Sequence, residues 1–109
     1  MSGDLAEEIA YGFKVLSNPI RLKILALCLA GERTSRELRE SLGISKPLLI
    51  AHLRKLVNAG FLTYRVEVDE ERGIVRKYYR TVDGFRVCID EDDLCFPSPI
   101  LHPWKLLGF

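Results

Sequence analysis

The sequence predicts a mainly α domain with one small β hairpin, and three observations carry that prediction. Helix start and stop signals recur up to Gly60, the hydrophobic period then changes from helical to two, and basic residues concentrate in the middle of the chain. A chain of 109 residues is long enough for one hydrophobic core and one domain. With 48% apolar and 28% charged residues, it has the balance of a folded globular protein rather than a disordered or fibrous one.

From Asp4 onward Leu5, Ile9, Phe13 and Leu16 recur at helical spacing, which gives a first helix one apolar face. Asn18-Pro19 ends it and starts the next: Asn18 suits an N-cap, and Pro19 suits the first helical position, where a missing amide hydrogen costs nothing. The second helix runs from Pro19 to about Ala30 and is apolar on nearly every side except at Arg21 and Lys23, so it belongs in the core or at a subunit interface. Thr34 and Glu37 have capping-box spacing and open a short third helix that ends at Leu42-Gly43. Ser45 caps a fourth helix, with Pro47 in its first turn and its end near Gly60. On this helix Leu49, Leu53, Leu56 and Val57 share one face, while Pro47, Ala51, Arg54 and Asn58 lie opposite, with Lys55 beside them.

Leu62, Tyr64, Val66 and Val68 then alternate with polar residues as in a strand. Residues 69–73 make a turn, and the β-branched and tyrosine residues of Ile74 to Val82 supply the returning strand. Asp83-Gly84 is a further turn signal, and Phe85, Val87 and Ile89 alternate as in another strand. The domain is therefore assigned to residues 1–90. Residues 91–109, acidic and then rich in proline and large apolar side chains, are read as a tail without regular structure that packs on the domain or on a partner subunit.

The net charge of +1 hides an asymmetry: residues 46–80 carry eight basic and four acidic side chains, whereas residues 81–109 carry two and five. Three helices followed by a hairpin form the winged helix-turn-helix plan, and the basic segment coincides with its last helix and its wing. An α-helix fits the major groove of B-DNA, so a helix held by its apolar side offers the opposite side to base edges. The helix N-terminus adds a phosphate site at Ser45 and Lys46, while Arg54 and Lys55 suit phosphate or guanine. In the hairpin Arg72, Arg76, Lys77 and Arg80 are the candidates for backbone contact, opposed by Glu70 and Glu71 at the tip.

The stretch from Val15 to Leu25, VLSNPIRLKIL, resembles the opening signature of ArsR-type regulators. Leu42-Gly43-Ile44-Ser45-Lys46-Pro47, His52-Leu53-Arg54-Lys55-Leu56 and Ala59-Gly60-Phe61-Leu62 resemble that family's turn, recognition helix and first wing strand. The resemblance covers residues 5 to about 82. It implies a homodimeric, sequence-specific repressor or activator binding double-stranded DNA, with Ser45, Lys46, Pro47, Leu48, Ala51, His52 and Lys55 at DNA-touching positions. The third helix, Thr34 to Leu42, lacks the cysteines that metal-sensing members carry there, which excludes metal sensing at that site. Leu48 and Ile50 replace small polar residues, and apolar side chains there suit thymine methyls or a protein surface. The long dimerising helix expected after the wing is replaced by the Phe85–Ile89 strand and the tail, so dimerisation falls to the first helix and the tail.

Other classes receive little support. No signal peptide and no bilayer-length apolar run is visible, which places the expected site of action in the cytoplasm, away from membranes. Cys28, Cys88 and Cys95 form no CxxC pair and are expected as reduced thiols, with a Cys88–Cys95 bridge as the alternative. Cys88, Cys95 and His102 match no structural zinc spacing, no cofactor is implied, and no small-molecule effector is named by the sequence. Motifs of hydrolases, metalloproteases and phosphate loops are missing, so no catalysis is expected. His52 has two readings, a phosphate donor or a structural hydrogen-bonding residue, and Trp104 either anchors a partner or covers its own core. The competing function is a winged helix used as a protein-interaction module.

Overall fold

The computed structural model describes residues 3–82, 87–88 and 95–96. Its order is α1 (Gly3–Leu16), α2 (Pro19–Ala30), β1 (Arg33–Thr34), α3 (Ser35–Leu42), α4 (Lys46–Asn58), β2 (Leu62–Asp69), β3 (Ile74–Thr81), β4 (Val87–Cys88) and β5 (Cys95–Phe96). This is the expected winged helix-turn-helix arrangement, with the expected caps. Asn18 Oδ1 accepts from the amides of Ile20 and Arg21. Thr34 Oγ1 accepts from the Glu37 amide while Glu37 Oε1 accepts from the Thr34 amide, which closes the capping box and holds the Glu37 carboxyl below its usual range. Gly43 ends α3 in the left-handed region at φ 66°, with its amide bonded to the Arg39 carbonyl. A side chain at that φ would be strained, so glycine permits the tight turn that sends α4 off in a new direction.

The core gathers one stripe from each helix. Ile24, Leu38, Leu49 and Leu56 are completely buried, joined by Val15, Leu25, Cys28, Leu53, Leu62 and Tyr79. Full burial of each large aliphatic side chain contributes about 1.5–3 kcal/mol. The α1 stripe behaves otherwise: Val15 enters the core, whereas Leu5, Ile9 and Phe13 stay exposed at 65%, 52% and 55%.

β2 and β3 form the hairpin in antiparallel register, with Leu62 opposite Thr81 and Asp69 opposite Ile74. Asp69 Oδ1 accepts from the Arg72 amide inside the turn. Sequence periodicity misses β1, whose Arg33 and Thr34 pair with Tyr79 and Tyr78 and make the sheet three-stranded, in the order β1-β3-β2. Two residues carry no period, and this pairing is non-local. Thr81 Oγ1 donates to the Leu25 carbonyl at 3.0 Å in the interior, which fastens the wing's base to α2.

Of the strand expected over Phe85–Ile89, the described residues Val87–Cys88 form β4, with Cys88 opposite Cys95 in its pairing with β5, and the rest of that expectation lies outside the described residues. The expectation of no regular element beyond Glu91 is corrected at Cys95–Phe96, where the backbone pairs with β4. The readings of His102 and Trp104, of a Cys88–Cys95 bridge and of tail packing lie outside the described residues and side chains.

Candidate nucleic-acid interface

The turn from Gly43 to Ser45 fixes how α4 leaves the bundle, and burial fixes its rotation. Leu49, Leu53 and Leu56 are within 2% of complete burial, and the helix is thereby held by one side. Lys46, Pro47, Leu48, Ala51, Arg54, Lys55 and Asn58 are exposed on the remaining circumference. Ser45, also exposed, accepts from the Leu48 amide through Oγ at 3.4 Å. No acidic residue occurs in α4, so its open face is neutral or positive throughout.

Of the candidate residues on this helix, His52 alone is turned inward. It is buried, and its Nδ1 accepts from Arg21 Nε at 3.1 Å. Arg21 Nη1 also donates to the Val15 carbonyl, so one guanidinium ties the end of α1 and the start of α2 to α4. Burial, then the positive charges of Arg21 and Lys55, push the His52 pKa below its usual value and favour the neutral ring that can accept. The geometry favours the structural reading of His52. Leu48 and Ile50, paired in the sequence reading, are separated: Leu48 is 43% exposed, whereas Ile50 is half-buried and lines the grooves between α4 and the wing.

In the wing, alternation sorts side chains onto two faces. Tyr64, Val66 and Val68 share one face with Tyr79, Lys77 and Val75. Lys77 Nζ lies 4.7 Å above the Tyr64 ring, which packs on Tyr79 with centroids 5.4 Å apart. Arg54 and Lys77 thus line the same groove from opposite walls, one from α4 and one from β3. The other face carries a network the sequence did not disclose. Arg65 pairs with Glu32 at 2.9 Å and with Glu67 at 2.7 Å, and its guanidinium lies 4.4 Å above the Tyr78 ring. Hydrogen bonding to Arg65 holds the Glu32 carboxyl below its usual range. Arg76 is exposed on this face, opposite Glu67, and Arg72 is exposed at the tip, 3.9 Å from Asp69.

Sequence reasoning also missed a basic cluster on α3. Ser35, Arg36 and Arg39 line a small cleft with Lys46 at the start of α4. Arg36 pairs with Glu40 on its own helix, and Arg39 is half-buried. The available signal was Arg36 and Arg39 on α3 and Lys46 at the start of α4, which the turn at Gly43 brings together. Among the described residues, no group of three or more His, Cys, Asp or Glu is placed to hold a metal ion. No helix among them is long and apolar enough to cross a membrane.

Residues 18–64, from the cap of α2 to the third residue of β2, match the family model described as bacterial regulatory protein, arsR family. Over 53 residues the chain is 47% identical to a probable mercury resistance operon repressor of Streptomyces lividans, covering 49% of this chain and 42% of that protein. It is 33% identical over 79 residues to an HTH-type transcriptional regulator of Methanocaldococcus jannaschii, covering 72% of this chain and 80% of the other. The crystal structure of the transcriptional repressor BigR from Xylella fastidiosa superposes with a TM-score of 0.59 at 31% identity, covering 74% of each chain. The relatives are regulators rather than enzymes, in accord with the absence of catalytic motifs. The shared helix-turn-helix, the wing and these likenesses place this chain in the ArsR family of DNA-binding transcriptional regulators.

Proposed function

We propose that the protein binds double-stranded DNA as a homodimer, with α4 of each protomer in a major groove and the wing against the adjoining backbone. The observation that carries this reading is the asymmetry of α4: three leucines hold it, and Lys46, Arg54 and Lys55 stand on an exposed face without an acidic residue. Ser45, Lys46, Pro47, Leu48, Ala51, Arg54 and Lys55 form the groove-facing set, and Arg72, Arg76 and Lys77 extend it onto the wing. His52 positions α4 through Arg21 instead of touching DNA.

The exposed Leu5, Ile9 and Phe13 stripe on α1 supports the dimer, since large apolar side chains one turn apart leave a continuous strip in water. Residues 91–109 belong to the same interface in this reading, with the cytoplasm as the site of action.

Binding is tested by anisotropy of labelled duplexes, a random mixture and the protein's own upstream region, titrated at two salt concentrations. Salt-sensitive binding that favours the upstream region is expected. Replacing Lys46, Arg54 and Lys55 by Ala should weaken binding to every duplex and flatten its salt dependence. Unchanged binding by that variant removes α4 from the interface. Absence of binding at low salt favours the second reading, a protein-interaction module, to which the exposed Val66, Val68 and Val75 of the wing are suited. For the dimer, removal of residues 91–109 should lower the dimer fraction in sedimentation, and an unchanged fraction places the interface on the helices alone.

A further inference from the structure

We propose that the first turns of α4 recognise DNA through thymine 5-methyl groups, contacted by Leu48 and Ala51, instead of through side-chain hydrogen bonds to base edges. The inference rests on α4 being the groove helix, and it names the chemistry that this helix reads.

The residues at the start of a helix-turn-helix recognition helix are those that reach base edges. In this chain the exposed side chains there are Lys46, Pro47, Leu48 and Ala51, preceded by Ser45. Three of the five have no hydrogen-bonding group. The Ser45 hydroxyl accepts from the Leu48 amide as the helix cap, which holds it at the helix start, where its O–H suits a phosphate oxygen. Lys46 lines a cleft with Arg39 and Ser35, on the side of α3, which aims its charge toward a backbone phosphate.

Leu48 and Ala51 are one turn apart, and Lys55 follows a turn later on the same strip of surface. Leu48 is 43% exposed although the helix offers a complete apolar face to the core, so core packing does not account for it. Ile50, the other large apolar residue nearby, is half-buried between α4 and the wing and leaves Leu48 as the protruding one. Among the major-groove edges of the four base pairs, the only apolar protruding group is the thymine methyl. The ring of Lys46, Arg54 and Lys55 around this patch, on a helix without an acidic residue, complements a polyanion and fixes DNA as its occupant. Hydrogen-bonded readout falls to Arg54 and Asn58, further along the exposed face.

The test begins with duplexes that the full chain selects from a random pool. Selected half-sites should share thymines at fixed positions, and replacing those by deoxyuridine removes the methyl while leaving every hydrogen-bonding group in place. Wild-type affinity should then fall about fourfold for each contacted methyl. The Leu48→Ala variant, altered only at an exposed position, should lose the discrimination at the thymine that Leu48 contacts, binding duplexes with thymine or uracil there within about twofold of each other, while keeping the discrimination that Ala51 supplies. Equal affinity of the wild type for both duplexes, with salt-sensitive binding retained, overturns methyl readout but leaves α4 as the groove helix. Selected sites without recurrent thymines have the same meaning. Absence of binding to any duplex overturns the DNA reading itself and with it this inference.

Discussion

Arg21 Nε donates to His52 Nδ1 at 3.1 Å, so the first turn of α2 holds the middle of the recognition helix through a ring nitrogen that accepts only when it lacks a proton. Burial and the nearby charges of Arg21 and Lys55 lower the folded pKa of His52 below the usual 6.5. In the pH range between the folded and unfolded values, the unfolded chain therefore binds more protons. The contribution is complete above the unfolded value and is lost as pH falls from about 6.5 through the folded pKa. Thermal unfolding between pH 7.5 and 5 should show the wild type losing more stability than His52→Gln, which keeps an acceptor and does not titrate. Parallel curves would remove the imidazole from the account.

Arg21 itself serves two acceptors, His52 and the Val15 carbonyl. Arg21→Ala should cost about 1–3 kcal/mol, since it leaves a partly buried carbonyl and a buried ring nitrogen without their donor. Denaturant titration measures the loss. The same variant should weaken DNA binding although Arg21 lies off the exposed face of α4, because the tilt of that helix is no longer fixed.

Much of this arrangement was legible because it is local. Asn18, Thr34 with Glu37, Ser45 and Gly43 each act within four residues, and the structure uses each of them as a cap. The wing was legible because alternation over eight residues a strand is a strong signal. What escaped was non-local. No spacing rule joins Arg33 to Tyr79 or Glu32 to Arg65, and although His52 shares the helical spacing of Leu49 and Leu56, the Arg21 donor that holds it comes from another helix. Leu48 and Ile50 lie on opposite sides of α4, two residues apart, and the structure adds that the side of Ile50 faces the wing whereas that of Leu48 stays open.

Cys28 lies in the core with its thiol pushed up to about 12, by burial above all. The thiolate is the reactive form, so Cys28 should resist alkylation in the native state and react on unfolding. Mass spectrometry after brief iodoacetamide treatment at pH 8, with and without denaturant, checks this. Rapid native modification of Cys28 would show that α2 opens far more readily than its packing implies.

The Arg65 network stands between wing and body, yet its members are well exposed, with Arg65 at 51%. Solvent screening limits such pairs, so Arg65→Ala should leave global stability nearly unchanged. Its effect should appear in local opening. Amide hydrogen exchange across β2 and β3 should accelerate while α2 and α4 remain protected. Uniform acceleration would mean that Arg65 supports the whole fold.

Arg39 and Lys46 line one cleft from two helices, an arrangement suited to a phosphate oxygen at the edge of the groove. Such a contact adds affinity without reading sequence. Arg39→Ala should therefore weaken binding to specific and random duplexes by the same factor and reduce the salt slope by about one unit. Leu48→Ala should leave that slope unchanged and alter the preference among sequences. The two variants measured on the same pair of duplexes separate positioning from recognition. If Arg39→Ala shifts preference while the slope holds, the α3 cleft is facing bases, and the docking of α4 must be rotated to match.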